Sequence, residues 1–273
     1  MAVISKPLVR LDIVPVLKYL PSWFPGAGFK RLATKKKIAV NNATEAPYDQ
    51  LKASMQEGNA KPCFAASLLS RVESGKNTTD LDQVFMSLTG TTISTLMTFV
   101  LAMTMFPETQ VAVHAELDRV LGRNCLPEIE DQESLPQNTA IINEVLRWHP
   151  VAPLGLLHQT TTSDYYGEYY ILAGTVILSN IWAMLYDENV FLSPNIFKPE
   201  RFLDKGGSLR DDIPYPIEAF GFGQRICLGR YFAHDIVWLA VAQILTVFKI
   251  ERAIDKSGNE IRPKGEFTPH LSR

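Results

Sequence analysis

The sequence predicts a mainly α-helical fold with small β-sheets. Apolar residues recur at helical spacing over 79–107, 107–122, 137–148 and 228–248. Residues 165–181 instead alternate around Ala173-Gly174, as a hairpin does. Residues 186–219 are rich in proline, asparagine and aspartate and show little period. A loop of that length inside a compact domain usually has a function or wraps a bound group.

Along the chain, 8–28 is proline- and aromatic-rich and reads as a loop joining two helices. Phe29–Asn42 and Pro47–Gln56 read as helices, and Lys61–Asn77 as a connector. Lys35-Lys36-Lys37 reads as a solvated face. Thr79 is expected to cap the long helix, with Asp80 and Asp82 complementing its dipole. Leu81, Val84, Phe85, Leu88, Ile93, Leu96, Val100 and Met103 give it an apolar pattern. Pro107-Glu108 restarts a second helix that ends at Gly122. Leu126–Pro136 is expected as a loop, and Gln137–Trp148 as a third helix stopped by Pro150. Leu228–Phe248 is the last long helix, and Asp255-Lys-Ser-Gly-Asn marks a terminal hairpin.

Composition narrows the function. At 273 residues, 46% hydrophobic and 21% charged, the chain can bury a sizeable core. A net charge of −2 gives no electrostatic case for nucleic acid. Cys63, Cys125 and Cys227 lie far apart without a CxxC pair, which argues against a zinc ribbon or a disulfide framework. Lys6, Arg10, Asp12, Pro15 and Lys18 interrupt any signal-peptide pattern at the start. Gln83–Pro107 is uncharged and long enough to span a bilayer. Its middle is crowded with serine and threonine and no Trp, Tyr, Lys or Arg anchors either end, so a buried core helix is the better reading.

The chemistry concentrates in Phe220-Gly-Phe-Gly223-Gln-Arg225-Ile-Cys227-Leu-Gly229. A lone cysteine sits in a glycine-kinked loop just before a long helix. Backbone N–H groups and the positive end of a helix favour thiolate over thiol. Gly223 and Gly229 are expected to permit backbone conformations, or a close approach to a flat group, that a Cβ would block. Three other readings stay open on the residues alone. Gly221-Phe-Gly223 is half of a dinucleotide fingerprint, Cys227 fits a core thiol, and a catalytic Cys/His pair fits an intracellular enzyme.

The spacing Phe, two residues, Gly, one, Arg, one, Cys, one, Gly resembles the cysteine loop of the cytochrome P-450 family, the haem-thiolate monooxygenases. Glu144-x-x-Arg147 and Pro199-Glu-Arg201-Phe202 resemble two further motifs of that family, in the family's order. The resemblance implies the cytochrome P-450 fold and a haem whose iron takes Cys227 as axial ligand. It implies that Phe220 packs beside the sulfur and that Phe220, Gly223 and Gly229 shape its pocket. Arg225 would meet a propionate, with His158 as a further propionate contact. Glu144, Arg147 and Arg201 would form a buried structural network. Thr91 aligns with a threonine that supports proton delivery to dioxygen.

Two departures stand out. Gly90 replaces the usual acid beside Thr91 and Leu88 the usual glycine, and Gln159 stands where many relatives carry a basic residue. Family members are also much longer, so the resemblance, from about Val14 onward, implies a C-terminal, N-terminally truncated portion: residues 1–273 as a single partial domain. The segment near Pro21-Ser-Trp-Phe-Pro-Gly most resembles fungal members. The implied activity is insertion of one oxygen atom from O2 into an apolar small molecule, with an NADPH-dependent flavin reductase as electron donor. The implied location is the cytoplasmic face of the endoplasmic reticulum membrane, with the 14–27 loop as a membrane contact. Rival readings are an inactive haem-binding or interaction remnant, and a peroxide-driven enzyme or dehydratase on the same scaffold.

Overall fold

The computed structural model describes residues 49–59, 78–122, 125–265 and 267, with backbone alone over 78–90. The predicted loop 8–28, the helix Phe29–Asn42 and the connector 61–77 lie outside these residues. The chain divides into two contact units, Met1–Ile93 and Ser94–Arg273.

In the first unit, residues 49–56 form α1, as predicted. α2 runs Thr78–Met105 and continues into the second unit. It already includes Thr78, so Thr79 is not its cap; sequence signals place helix ends only to within a residue or two.

The second unit is built on the remaining helices. α3, Thr109–Val120, follows Pro107 and stops where Gly122 takes φ +73°. That left-handed position past the last turn suits glycine. α4, Pro136–Trp148, opens on a proline, which lacks an N–H that the first turn could not use. α5 is the short Ile181–Leu185, and α6 is Arg230–Val247. The core packs these against one another through Phe99 and Met103 of α2, Val113 and Leu117 of α3, Ile141, Ile142 and Val145 of α4, and Trp238, Val241 and Leu245 of α6. Each such side chain stabilises by about 1.5–3 kcal/mol when fully buried. The Trp238 indole N–H donates to Thr139 Oγ1 at 2.9 Å, and Asn138 Nδ2 donates to the Trp238 carbonyl at 3.2 Å. α4 and α6 are thereby pinned by polar bonds inside an apolar contact.

α2 corrects one expectation. It is buried along one stripe, Thr95, Thr98, Phe99, Ala102 and Met103, while Met97 is 64% exposed and Val100 39%. It is therefore a two-faced helix, not one enclosed all round. Among the described residues no single helix is long and apolar enough to cross a membrane.

The loop expected over Leu126–Pro136 contains a 3-10 turn, Ile129–Ser134. The Glu128 and Asp131 side chains each accept from the other's backbone N–H, so the turn carries its own capping box. The hairpin also differs from expectation. β2, Asp164–Tyr166, pairs antiparallel with β3, Tyr169–Ile171, across Gly167-Glu168. Gly167, at φ +59°, makes that two-residue turn, and glycine leads such turns because only it enters them without strain. The Ala173-Gly174 turn instead sends β4, Val176–Ile177, back to pair with β1, His158–Gln159. Two two-stranded sheets result. An antiparallel bridge, Ile254 to Glu260, closes the predicted terminal turn.

The C-terminal segment seals the end of α2. No basic residue lies in that helix's last turn. Arg252 supplies one from afar, donating to the Thr104 and Met105 carbonyls at 3.2 and 3.3 Å. A cation at the negative end of a helix dipole is favourable. Gln110 exchanges two hydrogen bonds of 2.9 Å with the backbone of Ile250.

Candidate haem-thiolate site

The irregular stretch 186–219 is held from within. Glu144 on α4 is fully buried, as is Arg147, and Arg201 is 8% exposed. Glu144 Oε2 accepts from Arg147 Nε at 2.7 Å and Arg201 Nε at 3.0 Å. Its Oε1 accepts from Arg147 Nη2 and the Lys198 backbone N–H, both at 2.8 Å. One carboxylate thus takes four N–H donors. The other guanidinium donors go to carbonyls. Arg147 reaches Leu185 and Pro194, and Arg201 reaches Leu192, Ser193 and Ile196. Trp148 adds a bond to the Asn195 carbonyl at 3.2 Å. A run of backbone carbonyls is hung on two arginines, which is why a stretch with no period is ordered. Ser193 sits at φ +53°, a left-handed conformation that costs a non-glycine residue about 1–2 kcal/mol. The carbonyls on both sides of it are the ones the arginines hold. Burial lowers the Arg201 guanidinium from its ordinary value, and Glu144 opposes that.

The cysteine loop follows directly. A 3-10 turn, Ile217–Phe220, brings in Phe220, which packs on the main core and stacks on Tyr215. Gly221 then takes φ +87° with ψ −162°. Only glycine enters that region readily, although a Cβ there would have room, its nearest neighbour being the Arg225 carbonyl at 3.8 Å. Gly223 takes φ +53° and opens a second 3-10 turn, Gly223–Arg225. The chain doubles back so that the Cys227 N–H donates to the Phe220 carbonyl at 2.8 Å. Gly229 caps α6.

Cys227 is therefore a half-buried, unbridged thiol at the mouth of α6. Phe222 and Arg225 are exposed beside it in the sequence, as is Leu228 at 92%. The Arg225 guanidinium makes no ion pair among the described residues. No group of three or more His, Cys, Asp and Glu among the described residues could hold a metal ion. The fit with a haem rests on the loop's one half-buried sulfur and on the exposed Arg225 two residues before it.

The sequence-predicted residues are distributed unevenly. Phe220, Gly223, Arg225, Cys227 and Gly229 share the one loop. Gly223 has the special backbone expected of it. Gly229 does not: at φ −86°, ψ 11° it occupies an ordinary conformation, because it serves as the turn into α6. Gly221 is the glycine that the sequence reading passed over, and its signal was present in the Phe-Gly-Phe-Gly repeat. His158 is exposed on β1, paired across to Ile177, with no hydrogen bond to the cysteine loop among the described residues. The neighbouring Gln159 amide, a potential neutral donor, is spent on the Gly174 carbonyl at 3.0 Å. Thr91 is exposed on α2, in the first unit. Further along α2, Thr98 and Thr104 turn their hydroxyls back onto carbonyls four residues earlier.

Known proteins resemble the chain over nearly its whole length. The cytochrome P450 family model matches residues 3–268. A cytochrome P450 monooxygenase of Armillaria gallica is 41% identical over 267 residues, covering 95% of this chain and 52% of that protein. The cytochrome P450 monooxygenase ple1 of Rhodocybe pseudopiperita is 39% identical, over 94% of this chain and 51% of its own length. The chain thus spans about half the length of these relatives. Among solved structures, a zebrafish cytochrome P450 determined with abiraterone is 31% identical, with a TM-score of 0.55, covering 60% of this chain and 38% of that one. With the cysteine loop, the buried Glu144–Arg147–Arg201 network and a family match over nearly its whole length, the chain belongs to the cytochrome P450 family.

Proposed function

We propose that residues 1–273 contribute a single partial P450 domain that holds haem through Cys227 and serves insertion of one oxygen atom of O2 into an apolar small organic molecule. The observation that carries this is the cysteine loop: a half-buried free thiol, set by two left-handed glycines, at the mouth of α6. When bound, haem would supply the activation of dioxygen. Cys227 Sγ would be the axial donor, and Phe220 would keep water from it. Gly221 and Gly223 would hold the backbone turned so that the sulfur points out of the fold. Arg225, exposed and without an ion pair among the described residues, would receive a propionate in the forked geometry a guanidinium favours. His158 would be a second propionate donor, and the Thr91 hydroxyl would pass a proton toward the reacting oxygen. The Glu144 network would act only by fixing the chain that delivers the loop.

The reaction needs two electrons per turnover. One oxygen atom enters a C–H bond, and the other leaves as water with two protons. An NADPH-dependent flavin reductase docking on the cysteine face would provide the electrons, at the cytoplasmic face of the endoplasmic reticulum.

Gly90 in place of the usual acid favours a second reading, a peroxide-driven enzyme that needs no proton relay. The two separate with isotopically labelled dioxygen. Haem-loaded chain with reductase and NADPH should place labelled oxygen in an apolar probe substrate. Product formed from unlabelled peroxide, with none from labelled dioxygen, selects the second reading. No product by either route refutes both and leaves an inactive remnant.

A further inference from the structure

The cysteine loop has two ends. Phe220 enters it, and α6 leaves it. Tyr215 touches both. Its ring lies nearly parallel to Phe220, 6.3 Å between centroids at 11°, and meets His234 of α6 edge-on, 5.9 Å away at 69°. Both arrangements are favoured geometries for aromatic pairs. His234 is itself held from behind. Gln132, in the 3-10 turn before α4, places its amide nitrogen 3.4 Å from His234 Nδ1. Asp235 Oδ1 lies 3.7 Å from the same ring nitrogen, so the direction of the Gln132 contact follows the imidazole tautomer.

We propose that Tyr215, with His234 behind it, is a positioning staple that closes the cysteine loop by joining its entry to the helix at its exit. Four contacts run in series, from Gln132 to His234, to Tyr215, to Phe220, and through the Phe220 carbonyl to the Cys227 N–H at 2.8 Å. Phe220 cannot swing without breaking its stack on Tyr215, and Tyr215 cannot follow it without leaving His234. The sulfur's backbone is thereby tied at the residue that accepts its own N–H. Burial disfavours charge on both groups. It raises the Tyr215 hydroxyl above its ordinary value and pulls His234 below its own, with Asp235 opposing the second effect.

The inference rests on the haem-thiolate reading for its purpose but not for its test. With Cys63→Ser and Cys125→Ser in the background, Cys227 is the one thiol left, and its alkylation rate by iodoacetamide reports loop opening without any cofactor. Losing one aromatic pair should raise that rate roughly two- to tenfold. Tyr215→Leu, which keeps apolar bulk but no ring, should show the rise, and so should His234→Ala. Tyr215→Phe, which keeps the ring, should react within about twofold of the parent, since the stack rather than the hydroxyl does the work. Parent-like reactivity of Tyr215→Leu overturns the staple. So does a Tyr215→Phe variant as fast as Tyr215→Leu, and so does global unfolding of Tyr215→Leu by far-ultraviolet circular dichroism, since a loop staple acts locally. Haem added to the parent chain is a separate arm. Failure to form a thiolate-type spectrum there refutes the haem-thiolate reading and leaves the alkylation result standing.

Discussion

Removing the Glu144 carboxylate should be the most damaging single change in the described fold. In Glu144→Ala, four N–H donors lose their acceptor: Arg147 Nε and Nη2, Arg201 Nε, and the Lys198 backbone. Two guanidiniums, buried within a few ångströms of one another, are left without a counter-charge. Breaking a buried pair from one side costs about 3–5 kcal/mol, chiefly for the stranded charge. Here two cations share the one anion, so the upper end of that range is expected. For a chain of this size the loss corresponds to a fall in Tm of roughly 6–20 °C. The assay is urea denaturation of apo-protein followed by far-ultraviolet circular dichroism, with Cm and m read separately. A fall in Cm at constant m is expected. Glu144→Gln should recover only part of the loss, because the amide keeps an acceptor but not the charge. A destabilisation below about 1 kcal/mol would place the pair in the class of exposed ion pairs and refute the buried network.

Other outcomes follow from particular contacts. Arg201→Ala should destabilise by about 3–5 kcal/mol, since it strips donors from the Leu192, Ser193 and Ile196 carbonyls as well as from Glu144; stability equal to the parent would contradict the account. Gly221→Ala should cost about 1–3 kcal/mol from backbone conformation alone, because a Cβ there meets nothing closer than 3.8 Å; chemical denaturation of the variant tests it. Glu116 accepts from the Gln137 N–H at 3.0 Å, capping α4 from α3, yet burial raises its carboxyl above the ordinary 4.5, with that N–H and Arg119 opposing. A raised folded-state value means that its contribution is complete below the unfolded value and is lost as pH rises through the folded one. The stability gap between parent and Glu116→Gln should therefore shrink as pH climbs above 4.5; a gap that widens with pH would show the carboxylate to be favoured by its site.

Much of this fold was legible because its helices announce their limits. Pro107 and Gly122 bracket α3, Pro136 and Pro150 bracket α4, and each helix keeps its apolar period between those marks. The ionic network was legible as two short motifs. The five carbonyls it gathers were not, because a backbone acceptor leaves no trace in a side-chain pattern. The hairpin was located but centred on the wrong glycine. Alternation runs through both turns, and only the φ +59° at Gly167 shows which one joins adjacent strands. The 3-10 turn at Ile129–Ser134 was missed although Glu128 and Asp131 carry its capping box, since the stretch is too short to show a period. In the cysteine loop the spacing of Phe220, Gly223, Arg225, Cys227 and Gly229 was readable, and Gly221 left a trace in the Phe-Gly-Phe-Gly repeat, but the conformation of Gly221 and the place of Tyr215 were not legible. Their roles depend on a backbone angle and a ring stack that form only once the chain turns back on itself.

The spectrum of the haem-loaded chain, reduced and exposed to carbon monoxide, tests the central claim most directly. A Soret band shifted to the red in the manner of a thiolate-ligated iron is expected, present in the parent and abolished in Cys227→Ala. A folded parent whose band is that of a histidine- or solvent-ligated haem, or a Cys227→Ala spectrum identical to the parent, would contradict it.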